Sequence, residues 1–241
     1  MTPVVLRPQA KGKFVILCDH ASNAIPPELN NLGLSDAELI RHIAWDIGAA
    51  GITKELSKLL DSPAILSPVS RLVVDCNRRL DAATLIPEIS DGVEIPGNKN
   101  LTAPMRIERI GKWFTAYHDT VETVLEAAIA HSVIPPIVLS VHSMTDNLSG
   151  SVRPWQISLS SHRDRSLVDP LLAALRRPGD ITVGDNQPYD LDPDFDYCIP
   201  FHALRRNLPH IQVEFRQDEV GDAVGQLAWA ERFAGSLLQV A

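Results

Sequence analysis

Residues 14–23 read Phe-Val-Ile-Leu-Cys-Asp-His-Ala-Ser-Asn. The first five are all apolar and show no alternation. A short run of that kind fits a strand covered on both faces, as in a parallel sheet between helices. It stops abruptly at Asp19-His20, and in open α/β sheets ligands gather at the carboxyl ends of the strands. The stretch therefore predicts an α/β fold and a polar site at one end of its sheet.

Three further runs repeat the pattern. Residues 72–75 lead into Cys76-Asn77-Arg78-Arg79, residues 137–141 into His142-Ser143-Met144, and residues 211–213 into Glu214-Phe215-Arg216. In the last, Gln212 and Glu214 share one strand face while Val213 and Phe215 share the other. Helical patterns lie between the strands. Ser35 with Glu38 is a capping-box signal for a helix running towards Leu60, with Leu39, Ile40, Ile43, Ile47 and Leu56 at helical spacing. A second helix begins near Pro104 and carries Ile107, Ile110, Phe114, Tyr117, Val121 and Val124. Residues 164–176 and 222–239 suggest two more. Strands alternating with helices imply a layered α/β architecture. The segments 81–100 and 184–200 lack periodicity and read as long ordered loops, a frequent place for functional residues. With no repeat and no linker, residues 1–241 are expected to form a single domain.

Composition removes several functions. Acidic residues outnumber basic ones by 30 to 22, and the net charge of −8 opposes binding to phosphate backbones, so nucleic acid is not an expected partner. No apolar stretch reaches the ~18 residues of a membrane span. The first residues lack a signal-peptide core, so a cytoplasmic location is expected. Cys18, Cys76 and Cys198 are too far apart for a zinc knuckle or a disulfide framework and read as buried thiols. There is no P-loop, no G-x-G-x-x-G after a strand and no G-x-S-x-G elbow. Ser143 and His142 are neighbours on a strand and point to opposite faces, which argues against a Ser–His dyad.

What remains is metal chemistry. His20 and His142, both at strand ends, with one carboxylate, make a common open zinc site. Asp46 is the carboxylate expected there. It stands four residues after His42, so on a helix the two share a face. The pair is then either a local ion pair, or a metal ligand (Asp46) supported by His42. Asn23 is a weaker donor. Arg71 and Arg78 bracket residues 72–75; one can pair with an internal carboxylate such as Asp75, and the functional alternative is a bidentate grip on a substrate carboxylate. His202, near the last core strand, is expected to contact substrate, whereas His118 reads as packing.

The ordered stretches VILCDHASNAIP, HIAWDIGAA, SRLVVDCNR, IPEISDG with IPGN, VLSVHSMT, VGDNQPYD and VEFRQD resemble the N-formylglutamate amidohydrolase family over about residues 14–230. The resemblance implies a fold like that of the zinc carboxypeptidases (phosphorylase/hydrolase-like): three layers, with a mixed, mainly parallel sheet between helices. It also implies hydrolysis of N-formyl-L-glutamate to formate and L-glutamate, in histidine catabolism, with one divalent metal, zinc, as cofactor. In the carboxypeptidase pattern His20 matches the first histidine ligand and His142 the distant one. Asn23 stands where the pattern has a glutamate, and Asp46 takes the third position. Glu214 resembles the general base, and Asn77-Arg78 the pair that holds a substrate carboxylate. In the implied mechanism Arg71 or Arg78 stabilises the oxyanion and the other binds the amino-acid carboxylate, with Arg71 placed in the first role, while Asn186 and Tyr189 close over the substrate. Two alternatives rest on the same residues. One is a hydrolase of another N-acyl amino acid or of a peptide C-terminus. The other is a non-catalytic binder of acidic amino acids.

Overall fold

The computed structural model describes residues 1–148 and 150–241. Seven strands form one sheet: β1 (Val4–Leu6), β2 (Phe14–Cys18), β3 (Ala64–Leu66), β4 (Ile137–Met144), β5 (Ile157–Ser160), β6 (Val183–Asp185) and β7 (His210–Arg216). Their spatial order is β1-β3-β2-β4-β7-β5-β6. The centre, β3-β2-β4-β7, is parallel, while β1 runs antiparallel to β3 and β5 antiparallel to β7. The helices are α1 (Asp36–Leu39), α2 (Ala49–Leu59), α3 (Ala103–Arg109), α4 (Ala116–His131), α5 (Val168–Arg176), α6 (Cys198–His202) and α7 (Ala223–Val240). A single π-helical segment, Ile110–Thr115, joins α3 to α4.

Strand alternation divides the interior into two layers. Phe14, Ile16 and Cys18 of β2, Leu139 and Val141 of β4, and Ile211, Val213 and Phe215 of β7 pack against α2, α5 and α7. Val15, Leu17, Ile65 and Val138 pack on the other face, against α4, α6 and the loop that carries Leu72, Val73 and Val74. On that second face the apolar character stops at β4. Ser140, Gln212 and Ser160 stand in one cross-strand row, and His142, Glu214 and Ser158 in the next. All six are buried. A sheet face that turns polar under cover is costly unless its groups are engaged, so the sequence sets aside this half of the face for a site.

Two sequence expectations need correction. Residues 72–75 are not a strand. They form turns, with Val73 N–H donating to Ser70 O at 2.9 Å and Asp75 N–H to Leu85 O at 2.8 Å. The outer edge of β3, where such a strand could pair, is already taken by β1. The run is apolar because it covers the second core layer. The helix expected from Ser35 towards Leu60 is also broken. Its capping box is present, with Ser35 and Glu38 bonded reciprocally, but α1 ends at Leu39 and α2 begins only at Ala49. Gly48, the residue before α2, has φ 84°, and a Cβ there would lie 2.3 Å from Val220 O. Only glycine fits, and the left-handed turn redirects the chain. Strands β1, β3, β5 and β6 have no counterpart among the sequence expectations; each has only three or four residues.

Candidate active site

The carboxyl ends of β2, β4 and β7 open into a cavity of about 400 Å³. Its wall includes His20, Asp46, Arg71, Asn77, Arg78, His142, Arg153, Tyr189 and Glu214. The turn before Gly48 brings Asp46 inward, and its main-chain N–H donates to His20 O at 3.0 Å. One carboxylate oxygen, Oδ2, then lies 2.9 Å from His142 Nδ1 and 3.4 Å from His20 Nδ1. Ser143 N–H and Arg71 Nη1 also approach the Asp46 carboxylate, at 3.3 and 3.5 Å.

The far nitrogens of the two imidazoles are held as well. His20 Nε2 lies 2.7 Å from Asp75 Oδ1, and His142 Nε2 lies 3.0 Å from Ser140 Oγ. Asp75 is fixed in turn by Arg71, whose Nε and Nη2 donate to its Oδ2 at 3.1 and 2.8 Å. Both rings therefore turn Nδ1 towards Asp46 while a partner behind fixes their orientation, the arrangement that supports metal-binding histidines.

Asp19 forms a second group with the same histidines. Its ligand atoms and those of His20 and His142 lie within 4.8 Å of one another. Asp19 Oδ1 stands 3.5 Å from His142 Nε2 and 3.6 Å from His20 Nδ1, and neither oxygen has a hydrogen-bond partner. Asp19 does not line the cavity, whereas Asp46 does. A metal that meets substrate must face the cavity, which favours His20 Nδ1, Asp46 Oδ2 and His142 Nδ1 as its donors. The edges of a tetrahedral N/O zinc site measure about 3.3–3.5 Å; the His20–Asp46 separation of 3.4 Å is on that scale, and the His142–Asp46 separation of 2.9 Å is that of a hydrogen bond. Asp19 then supplies negative charge beside Nδ1 of His20 and behind the His142 ring at Nε2.

The electrostatics suit a cation. Burial by itself lowers the basicity of an imidazole. Here burial is outweighed: Asp75, Asp46 and Asp19 hold His20 up at about 9, against burial and Arg71, while Asp19 and Asp46 hold His142 up at about 10. Burial raises Asp46, yet His20 and His142 drive it far below the carboxylate range. Asp75 is likewise lowered against its burial, first by Arg71 and then by His20. With neutral imidazoles, three carboxylates against one guanidinium leave an excess of negative charge that a divalent ion matches. The donor set and its field therefore fit a metal.

Glu214 stands next to His142 in the parallel register and is buried at the cavity wall. Burial pushes its carboxyl up to about 7; Asp46 adds to this and His142 opposes it.

The remaining expected residues divide. Arg78 lines the cavity, donating to Asn77 O at 2.8 Å with its guanidinium 3.9 Å from the Phe195 ring centroid. Asn77 is at the wall too, but its amide is occupied. Nδ2 donates to Asp196 Oδ1 at 3.0 Å, and Oδ1 accepts from the N–H groups of Tyr197 and Cys198 at 3.0 and 2.8 Å. It anchors the α6 segment, and only the second N–H of Nδ2 is left without a partner among the described residues. Tyr189 lines the cavity and accepts a 2.7 Å bond from Arg153. Asn186 lies outside the cavity lining; its Oδ1 accepts from Ser161 N–H at 2.9 Å and holds the loop.

His202 is a correction. It is buried between His118 and Glu122, with Nε2 2.8 Å from His118 Nδ1 and Nδ1 2.6 Å from Glu122 Oε1, and it does not line the cavity. Helix α6 turns it towards α4, into the second core layer. His42 is a correction as well: the break before α2 removes the shared helical face, and His42 Nε2 lies 3.4 Å from Asp91 instead of meeting Asp46. Arg153 was not singled out from the sequence. It follows a short hairpin, Asn147–Leu148 with Ser151–Val152, and has no apolar run before it to mark it.

Comparison with known proteins agrees with this architecture. The sequence model of the N-formylglutamate amidohydrolase family matches residues 12–220. The structure of gene product Atu2144 from Agrobacterium tumefaciens is 30% identical, with a TM-score of 0.94 over 99% of this chain and 94% of that one. An N-formylglutamate amidohydrolase from Ralstonia eutropha JMP134 shares the fold at 15% identity, with a TM-score of 0.68 over 99% of this chain and 96% of that one. No curated protein sequence matches the chain. With most of its length covered by the family's pattern, the chain belongs to the N-formylglutamate amidohydrolase family, a family of amide-bond hydrolases.

Proposed function

We propose that this protein is a metal-dependent hydrolase of N-acyl amino acids, with N-formyl-L-glutamate as substrate and formate and L-glutamate as products. The observation that carries the reading is convergence. His20, Asp46, His142 and Glu214, from four distant segments, meet at the wall of one cavity with arginines beside them. The substrate follows from family membership and from those arginines. The same reading puts the enzyme in histidine catabolism in the cytoplasm.

His20, Asp46 and His142 would hold the ion, with zinc favoured by two imidazoles and a carboxylate. A divalent metal there supplies Lewis acidity to the acyl carbonyl and to water. Asp75 and Ser140 keep the two rings in register. Arg71, locked by Asp75 and Asp46, presents a fixed positive charge where the acyl oxygen becomes an oxyanion. Arg78 binds the α-carboxylate and so sets the amide against Glu214. Glu214 takes one proton from the attacking water as its oxygen bonds to the acyl carbon. When the C–N bond breaks, Glu214 returns that proton to the leaving nitrogen. Its raised proton affinity suits both transfers.

The test is Glu214→Gln. It should fold, bind about one metal per chain by elemental analysis, and lose about 10²-fold or more in kcat on N-formyl-L-glutamate. A folded, metal-loaded variant with near-normal kcat, but a lowered melting temperature, would show Glu214 to be structural. A panel of N-formyl, N-acetyl and peptidyl glutamates tests the acyl group, and preference for any but the formyl compound would replace the substrate.

A further inference from the structure

The cavity wall holds three arginines, and they are not equivalent. Arg71 is forked onto Asp75. Arg78 lies 3.7 Å from Asp196 Oδ1. Arg153 makes no ion pair with any described residue, although it is only 6% exposed. Its one side-chain hydrogen bond among the described residues runs from Nη2 to the Tyr189 hydroxyl at 2.7 Å. The guanidinium lies 5.0 Å from the Tyr189 ring centroid. A guanidinium carries several N–H donors, so most of its hydrogen-bonding capacity is unengaged.

The position of Arg153 is firm. Its main-chain N–H donates to Asp146 O at 2.7 Å, and its carbonyl accepts from Arg216 Nη1 at 3.3 Å. Tyr189 braces the side chain. A buried cation without a counter-charge is unfavourable, and folding gains nothing from holding one there. An anion entering the cavity would supply the missing partner.

We propose that Arg153, braced by Tyr189, is the subsite for a second carboxylate, the side-chain carboxylate of an acidic N-acyl amino acid. The inference rests on the hydrolase reading above, in which Arg78 receives the α-carboxylate. The two arginines divide by distance from the reacting centre. Arg78 follows Asn77, whose main-chain N–H donates to Asp75 Oδ1 at 2.9 Å, and Asp75 touches His20, whereas Arg153 is held by Tyr189 and bonds neither a candidate ligand nor Asp75. The side-chain carboxylate of an acidic amino acid is likewise the one further from the scissile amide. The pair of arginines therefore selects dicarboxylic substrates over neutral ones of the same shape.

N-formyl-L-glutamate and N-formyl-L-glutamine differ only by carboxylate against amide and make the probe. With the zinc-reconstituted protein, Arg153→Gln should cut the glutamate-over-glutamine preference in kcat/KM by about 10- to 100-fold, the scale of one charge-assisted hydrogen-bonded contact, with the loss in KM. Arg153→Lys, which keeps the charge and loses the fork, should fall between. Calorimetry with glutarate and butyrate tests binding apart from turnover: Arg153→Gln should weaken glutarate and leave butyrate unchanged. The melting temperature of Arg153→Gln should fall by no more than a few degrees, since the arginine has one hydrogen bond, to Tyr189, and no ionic partner among the described residues to lose. A preserved preference, or equal glutarate affinity in both proteins, overturns the subsite. So does a drop of many degrees in melting temperature in both variants, which would make Arg153 structural. If no N-acyl substrate is turned over while glutarate binding still depends on Arg153, the subsite stands and the hydrolase reading fails.

Discussion

Asp46 follows His42 by four residues, and in an unbroken helix their side chains would meet. Helix α1 ends at Leu39, and the turns that follow send them apart, His42 towards Asp91 and Asp46 between the two site imidazoles. This gives a ranking that can be measured. Asp46→Asn should weaken zinc affinity by about 10-fold or more, and His42→Ala by less, since His42 touches no candidate ligand. If His42→Ala proves the more damaging in a metal-competition titration, the two residues have been assigned the wrong way round. His20, His142 and Glu214 were legible in the sequence because each ends or interrupts an apolar run. Arg153 was not, because what sets it apart is the lack of a counter-charge, and that is a property of packing.

Among the elements, α4 and α6 meet through His118 and His202. The rings stack with centroids 5.1 Å apart, inside an aromatic cluster that includes Phe114, Tyr197 and Phe201. Burial is the main cause that pushes both imidazoles down to about 3; His118 is lowered further by His202, and His202 by Arg206 and Arg205. Their folded values lie below the unfolded histidine value near 6.5. The stability they contribute is therefore present above pH ~6.5 and is lost as pH falls from there towards ~3. At pH 5 the loss is on the order of 2 kcal/mol for the bonded pair, because the Glu122 carboxylate 2.6 Å from His202 Nδ1 favours the charged form of that ring. His20 and His142, held up at about 9 and 10, oppose this loss between pH 7 and pH ~5.5, where the unfolded chain is still gaining its protons, and add no slope below pH ~5.5, where both folded and unfolded metal-free chains are protonated. The melting temperature of metal-free protein should accordingly drop between pH 5.5 and pH 4.5, and His202→Gln should reduce that drop. An unchanged slope in the variant would remove the pair as its cause. At this scale the long strands were readable from the sequence. Residues 72–75 misled because β-branched residues that cover a core look the same, in sequence, as β-branched residues within a sheet.

For the whole molecule, a net charge of −8 comes with a buried concentration of carboxylates around His20 and His142. Metal binding at that centre should stabilise the fold by mass action, about 3 kcal/mol at a free metal concentration 100 times the dissociation constant. Chelation should lower the melting temperature by several degrees and added zinc restore it. A melting temperature indifferent to both would take the metal out of the proposal. By itself the sequence determined the layered α/β class, the central strands β2, β4 and β7, and the polar residues at their carboxyl ends. Those features are written in local patterns: continuous apolar runs, strict alternation, and ordered motifs. The tertiary structure alone decided which nitrogen of each imidazole faces Asp46, that Asp75 and Asp19 also reach these rings, that His202 belongs to a core contact, and that Arg153 has no ionic partner among the described residues. Each of these depends on segments tens of residues apart being packed together, and a linear pattern carries no record of which distant group will lie within hydrogen-bonding reach.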